Sequence, residues 1–137
     1  MTLPFFVYGT LRPGETNHDR FLRGRTGSEE PGRLTGSVLY DGPGYPYAVD
    51  ESGGVVHGEL VTARPGEYRE LLAVLDRLEE YAPGDARNLY ERVERGVVRA
   101  RDGLVVQAWV YVAAPPVAAR LRAGGNRIEG GDWRIRR

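Results

Sequence analysis

The sequence predicts an α+β fold, in which a small, mixed, mostly antiparallel sheet is curled or closed and carries one long and one short flanking helix. Several apolar, β-branched segments separated by Gly and Pro are typical of strands. Residues 67–81 have the period of an amphipathic helix. Residues 90–113 contain a hairpin signal around Asp102-Gly103. One long helix, one short helix and turn-linked strands together indicate α+β.

The composition indicates an ordinary globular chain. With 137 residues, the chain is expected to form a single domain over residues 1–137 and to bury a core without metal or disulfide staples. Its 41% apolar and 28% charged residues argue against disorder and against a membrane span. Nineteen basic and nineteen acidic residues, spread along the chain, argue against a nucleic-acid partner. Cysteine is absent, which excludes disulfides and a thiolate nucleophile, and no signal peptide is recognisable, so we expect a cytoplasmic protein.

The first element is a buried strand that ends in a loop. An apolar run, Phe5-Phe6-Val7-Tyr8, stops at Gly9 and is followed by polar and turn-forming residues as far as Gly14. A glycine allows a ligand to approach the main chain, and successive N–H groups in a turn can converge on a carboxylate or carbonyl oxygen. The loop is therefore either an anion cradle or a plain strand-to-loop turn. It lacks the lysine and the glycine spacing of nucleotide-binding loops.

A short helix and three strands are predicted next. Residues 15–22 suit a short helix, with Thr16 or Asn17 as its cap and Gly24 beyond its end. The strands are expected at residues 33–40, 45–49 and 55–62. Tyr40 and Tyr45 flank or occupy a loop rich in Gly, Pro and Tyr, which either covers the edge of the core or lines the mouth of a pocket.

The long helix carries the first candidate for chemistry, Glu79. Its apolar face is formed at helical spacing by Tyr68, Leu71, Leu72, Leu75 and Leu78. Glu79 projects from this face, whereas Glu80 points away. A carboxylate held against apolar side chains is partly desolvated, which raises its pKa and suits proton transfer near neutral pH. The alternatives are a Glu whose carboxylate reaches water, or one paired with Arg92 or a backbone N–H.

The remainder of the chain is expected to be a hairpin and a tail. A turn-rich connection over 81–89 leads to strands at 90–101 and 104–113, joined by a two-residue primed turn at Asp102-Gly103. Pro115-Pro116 ends the second strand. The turn-rich tail that follows, ending in Arg136 and Arg137, is expected to lie over the surface.

Other chemistry-bearing residues have simpler explanations. Glu59 lies beside a glycine in a strand and could be a second acid, or simply a strand-surface Glu. His18 and His57 are the only histidines, and no metal-ligand spacing accompanies them, so no metal site is expected. The serines lack a nearby base and elbow of the kind that nucleophiles need.

These motifs together resemble the gamma-glutamylcyclotransferase family, also called AIG2-like. The resemblance covers nearly the whole chain and is strongest where the opening Tyr-Gly-Thr-Leu motif is combined with a downstream Leu-Asp-x-x-Glu. The matching segments are residues 6–12, Asn17-His18, residues 44–46, Gly58-Glu59-Leu60, residues 75–79, Tyr90-Glu91-Arg92 and residues 110–112. Relatives commonly have Gly directly after the catalytic Glu, where this chain has Glu80.

The resemblance implies a small β-barrel with flanking helices that works without metal or cofactor. It implies cyclisation of the glutamyl group of a small γ-glutamyl amide to 5-oxoproline, with release of the amine. Glu79 would be the general acid and base, and the substrate-holding loop would consist of Tyr8, Gly9, Thr10 and Leu11. The expected partner is a small γ-glutamyl substrate, bound by a monomer or weak homodimer.

Two alternatives stay open at this point. The chain could be a non-catalytic module that binds a small acid on the same barrel, or an amidohydrolase in which Glu79 activates water. Tyr40, Tyr45, Tyr90 and Tyr111 could line the pocket, and nothing in the sequence ranks them. Nor does it select the departing amine.

Overall fold

The computed structural model describes residues 2–135 of the chain. Its six strands are β1 (Phe5–Val7), β2 (Thr26–Tyr40), β3 (Tyr47–Ala63), β4 (Tyr90–Arg99), β5 (Val105–Ala113) and β6 (Arg127–Ile128). Its α-helices are α1 (Tyr68–Leu78) and α2 (Pro115–Gly124). A single turn of π-helix, His18–Leu22, precedes β2, and a 3₁₀ turn, Trp133–Ile135, follows β6. Within this part of the chain, no helix is both long and apolar enough to cross a bilayer.

The sheet closes into a five-stranded barrel. The strand order is β3-β1-β5-β4-β2, and β2 also pairs with β3, so that the last strand returns to the first. The β1–β5 pair is parallel and the other pairs are antiparallel. The short β6 adds to the end of β2. The predicted fold class is therefore confirmed, with the barrel as the form that the curled sheet takes.

Alternation along the strands produces two apolar cores. Phe6 of β1 packs in the barrel interior, whereas its neighbours Phe5 and Val7 belong to the outer cluster. That outer cluster includes Leu71 and Leu75 of α1, both fully buried. Since a closed barrel this small is filled by its own side chains, the helix must lie outside it. The predicted apolar face of α1 is thus the face that contacts the barrel.

Three elements differ from the prediction. The strands expected at residues 45–49 and 55–62 form one continuous strand, β3, which pairs with β2 along its length apart from shifts of register near Gly27 and Gly36. β2 begins at Thr26, not at residue 33, because Gly27 and Pro31 obscure the strand pattern where β2 pairs on one side only. The hairpin forms, but its loop spans residues 100–103, with Gly103 at a φ of 74° and the Asp102 carboxylate bound to Arg99. The expected two-residue turn is therefore wrong, because these side-chain bonds favour a wider loop.

The tail contains a helix that the sequence pattern did not indicate. Pro115-Pro116 does end β5, but it also begins α2, because proline is tolerated in the first turn of a helix. Trp133 is buried and joins the interior cluster. The tail therefore seals one side of the barrel in addition to covering its surface. Arg136 and Arg137 lie outside the described residues.

A buried ion network ties the loop after β1 to β3 and to the C-terminal segment. Arg12 is 6% exposed. Its Nε and Nη2 atoms donate to the two carboxylate oxygens of Glu59, at 2.8 and 3.0 Å. Its Nη1 donates to Asp132 Oδ1 at 2.8 Å. A bidentate arginine fork with a second carboxylate holds its partners in one geometry.

We expect Arg12→Ala to lower the free energy of unfolding by about 3 kcal/mol, because removing one member of a buried ionic network leaves the others unpaired. Urea denaturation followed by far-ultraviolet circular dichroism measures the change. The matched control is Arg95→Ala, which breaks an exposed 3.0 Å ion pair with Asp50 and should lower stability by no more than about 1 kcal/mol. Equal effects of the two substitutions would contradict the role given to Arg12.

Candidate active site

A cavity of about 290 Å³ opens where β1 ends, between the loop that follows it and the C-terminal end of α1. Segments from six parts of the sequence form its wall, so only the folded barrel assembles it. The lining residues are Phe5, Phe6, Val7, Tyr8, Gly9, Thr10, Leu11, Asn17, Gly44, Tyr45, Pro46, Leu75, Leu78, Glu79, Glu80, Leu89, Tyr90 and Tyr111.

Glu79 occupies the C-cap of α1 and lines this cavity. Its N–H donates to Leu75 O at 3.0 Å, which continues the helical hydrogen bonding to this residue. Its carboxylate is partly buried and has no hydrogen bond or ion pair within residues 2–135. Burial raises the pKa of Glu79 to about 7. A carboxyl group with such a pKa can both accept and donate a proton near neutral pH.

Arg92, the alternative partner considered for Glu79, is used elsewhere. Its Nε donates to Asp76 Oδ1 at 2.9 Å, and its guanidinium lies 4.4 Å from the ring centroid of Trp109. The Glu79 carboxylate is therefore left available to a ligand.

Glu80 adopts a backbone conformation that normally belongs to glycine. Its φ is 52°, and it is the one non-glycine residue with a positive φ among those described. The Glu80 N–H donates to Arg77 O at 3.1 Å and the Tyr81 N–H to Asp76 O at 2.8 Å. This hydrogen-bond pattern is a Schellman motif, whose left-handed position is usually Gly. It ends α1 at Leu78, earlier than predicted, and holds Glu79 in place.

The loop after β1 offers unused backbone donors. It turns back on itself through a hydrogen bond from Arg12 N–H to Gly9 O at 3.1 Å. The N–H groups of Gly9, Thr10 and Leu11 have no acceptor in residues 2–135, and all three residues line the cavity. Consecutive free amides in a turn suit an anionic oxygen.

Two neighbours explain the shape of this loop. A Cβ at Gly9 would lie 2.8 Å from Pro46 Cδ, so a side chain there would push the loop and the facing wall apart. Asn17 Nδ2 donates to Thr10 Oγ1 at 2.9 Å. Because that oxygen accepts a bond, the Thr10 hydroxyl can donate its own proton to a ligand. Asn17 was predicted as a helix cap and as part of the family resemblance, and a side-chain bond across seven residues of a loop leaves no periodic signal in the sequence.

Tyrosines form much of the remaining wall. Tyr45, Tyr90 and Tyr111 line the cavity, whereas Tyr40 does not. The Tyr90 hydroxyl donates to Pro46 O at 2.7 Å, and the Tyr111 hydroxyl donates to Asp76 Oδ1 at 2.6 Å. Burial raises the pKa of both groups, so both stay neutral.

Tyr8 links the strand to the rest of the wall. Its hydroxyl donates to Tyr111 O and accepts a bond from the Ala48 N–H at 3.2 Å. Burial raises its pKa as well. These bonds make Tyr8 a fixed part of the wall, and its neutral hydroxyl is not available as a base.

The other candidate residues lie away from the cavity wall. Glu59 pairs with Arg12, which accounts for a charged side chain in β3. His18 Nε2 lies 2.5 Å from Glu29 Oε2. Among residues 2–135, no group of three His, Asp or Glu side chains is arranged to hold a metal ion.

Replacing Glu79 should change how stability depends on pH. The carboxyl group titrates near its ordinary pKa in the unfolded chain and near 7 in the folded one, so the folded chain binds more protons between these values. The contribution of Glu79 to stability is therefore full below about pH 4.5 and is lost as pH rises through about 7. Relative to Glu79→Gln, the free energy of unfolding of the wild type should fall by about 2 kcal/mol between pH 4.5 and 8. This figure includes a reduction for solvent screening, because the cavity is open.

Urea denaturation of both proteins at several pH values measures this difference. The contributions of the other titrating groups are nearly the same in the two proteins, so they cancel in the comparison. Glu70→Gln, at an exposed position in the first turn of the same helix, should show no such trend. A wild type whose stability runs parallel to that of Glu79→Gln would show that the carboxylate is not desolvated.

Replacing Glu80 by glycine should stabilise the protein by about 1 kcal/mol, because glycine adopts the left-handed conformation without the steric penalty. Thermal denaturation measures the rise in Tm. Glu80→Ala is the matched variant, because it removes the same charge and retains the strain. A gain of equal size in Glu80→Ala would assign the effect to charge rather than to the backbone.

Comparison with known proteins identifies the family. The family model for "Gamma-glutamyl cyclotransferase, AIG2-like" matches residues 5–135. The gamma-L-glutamyl-butirosin B gamma-glutamyl cyclotransferase of Niallia circulans is 38% identical over 109 residues, which are 78% of this chain and 64% of that protein. The match thus spans less than two thirds of that curated relative's length.

Solved structures share this fold. An AIG2-like protein from Mus musculus superposes with a TM-score of 0.62 at 25% identity, over 84% of this chain and 81% of that one. An uncharacterized protein from Pyrococcus horikoshii gives a TM-score of 0.64 at 25% identity, over 96% and 90% of the two chains. The chain belongs to the AIG2-like gamma-glutamyl cyclotransferase family.

Proposed function

We propose that this chain cyclises the glutamyl group of a small γ-glutamyl amide to 5-oxoproline and releases the amine, with Glu79 as its general acid and base. The observation that carries the proposal is one cavity lined both by Glu79, whose carboxylate is partly desolvated and unpaired within residues 2–135, and by three residues whose backbone amides have no acceptor in that range. The cytoplasmic location and single-domain organisation expected from the sequence are part of the proposal, as is a reaction that needs no metal.

The reaction requires little from the protein because the substrate supplies its own nucleophile. The α-amine of the glutamyl group attacks the carbonyl carbon of the γ-amide and forms a five-membered ring. The bond between that carbon and the leaving nitrogen then breaks. Because the amine and the carbonyl belong to one molecule, the protein needs only to hold the substrate folded, with the two groups in a near-attack geometry.

Glu79 moves the protons in this scheme. The α-amine is an ammonium group at neutral pH and cannot attack until it loses a proton. The ionised Glu79 carboxylate accepts that proton and donates it to the departing nitrogen as the C–N bond breaks. The ring nitrogen loses a second proton as the lactam forms, and this proton ends on the released amine, which leaves as an ammonium ion while Glu79 is again ionised. A carboxyl pKa of about 7 suits both transfers, because neither the protonated nor the ionised carboxyl group is strongly favoured near neutral pH.

The loop after β1 stabilises negative charge. The amides of Gly9, Thr10 and Leu11 would bind the substrate carboxylate or the oxygen of the γ-carbonyl as charge develops on it. Such donors do not need to reorganise during the reaction, and each is worth about 3 kcal/mol in comparable acyl-transfer sites. The buried ion network of Arg12 holds this loop in place.

The direct test is a panel of γ-glutamyl amines incubated with the purified protein, with 5-oxoproline measured by mass spectrometry. The wild type should form 5-oxoproline, and Glu79→Gln should reduce kcat by about two to four powers of ten, because the amide side chain cannot accept the proton. The acidic limb of the kcat/KM profile should rise with pH through about 7, as Glu79 ionises.

Glu70→Gln serves as the control, since Glu70 is exposed and does not line the cavity. Equal activity of the wild type and Glu79→Gln would remove Glu79 from the mechanism. Free glutamate in place of 5-oxoproline would identify an amidohydrolase. Tight binding of a small acid without turnover would identify a binding module.

A further inference from the structure

The charged residues in the wall of the cavity are exclusively acidic. Of the residues that line it within the described chain, only Glu79 and Glu80 carry a charged side chain, and none is Lys, Arg or His. Nearby guanidinium groups are committed to other carboxylates, Arg12 to Glu59 and Asp132, and Arg92 to Asp76. The positive charge of Arg120 interacts electrostatically with the Tyr47 hydroxyl, and Tyr47 is not part of the wall.

The outer part of this wall, which we call the rim, consists of its exposed residues Gly44, Tyr45, Glu80 and Leu89. Tyr45 is 36% exposed and Leu89 is 40% exposed, so each presents apolar surface to solvent. Glu80 supplies the only charge of the rim. Its carboxylate has no hydrogen bond or ion pair within residues 2–135.

The reaction determines which part of the substrate reaches the rim. The α-amine must lie near Glu79, and the anionic oxygens of the glutamyl group must lie near the amides of Gly9 to Leu11. The glutamyl group therefore occupies the inner cavity. The departing amine and its substituent extend outward, past Glu80, Tyr45 and Leu89.

We propose that Glu80 makes the site selective for substrates whose departing amine carries an apolar stem and a second, positively charged group. This inference rests on the proposed function and deepens it. A cation would be attracted by the unpaired Glu80 carboxylate and by the face of Tyr45, while the stem contacts Leu89. A carboxylate in the same place would face the Glu80 charge with no cation in the wall to offset it.

The test uses three γ-glutamyl amides that match in length and differ in charge. Their amines are 1,4-diaminobutane, pentylamine and 4-aminobutyrate, which end in a cationic, a neutral and an anionic group. In the wild type, kcat/KM should fall in that order. Glu80→Gln should reduce the ratio of kcat/KM for the cationic over the anionic substrate by about fivefold to tenfold. Glu80→Lys should reverse the order.

Two measurements separate charge from shape. Because Glu80 is exposed, 0.5 M NaCl should shrink the wild-type preference through screening, whereas a preference based on packing would persist. Glu70→Gln, on the same helix and outside the cavity, should keep the wild-type ratio. Calorimetry with 1,4-diaminobutane alone should show weaker binding to Glu80→Gln than to the wild type.

The failures of the two proposals are distinguishable. If the wild type forms 5-oxoproline from all three amides with equal kcat/KM, or if Glu80→Gln retains the wild-type ratio, the selectivity assigned to Glu80 is wrong and the proposed function stands. If the wild type forms no 5-oxoproline from any of them, both proposals fail.

Discussion

Leu71 and Leu75 of α1 are completely buried against the outer face of the barrel, in the cluster that contains Phe5 of β1. This apolar contact determines where α1 lies, and the Schellman motif at the end of the helix then determines where Glu79 lies. The loop beyond Phe5 continues from the same strand. Glu79 and the loop residues Gly9 to Leu11 thus line one cavity from two elements that this packed interface joins.

The cavity depends equally on the closure of the barrel. β2 pairs with both β3 and β4, and β1 is inserted between β3 and β5. All three residues of β1 pair with β3, and Phe5 also pairs with Trp109 of β5. A strand this short is stable only within such a sheet. The Arg12 network adds a polar link from the loop to β3 and to the C-terminal segment. Residues more than one hundred positions apart therefore hold the loop in one conformation.

Glu79 and Glu80 place two unfavourable features side by side at the end of one helix. Burial disfavours the charge on Glu79, and the left-handed backbone of Glu80 is unfavourable for any residue with a Cβ. The packing of α1 against the barrel offsets the free-energy cost of both the desolvated carboxylate and the left-handed backbone. Strain and desolvation at neighbouring positions are common where a site has to be held ready for a ligand.

The amino-acid sequence by itself determined the α+β class, the apolar face of α1 and the projection of Glu79 from that face. It also determined the strand-to-loop character of residues 5–14. Each of these depends on local periodicity and on the position of glycine. The sequence did not indicate α2, whose proline start also suits a strand end, or the wide hairpin loop. Tertiary structure alone decided that Tyr90 and Tyr111 line the cavity, that Arg92 pairs with Asp76 rather than with Glu79, and that Asn17 binds Thr10. The first two depend on which segments the closed barrel brings together, and the third depends on how the loop after β1 folds. Neither kind of contact leaves a period in the sequence.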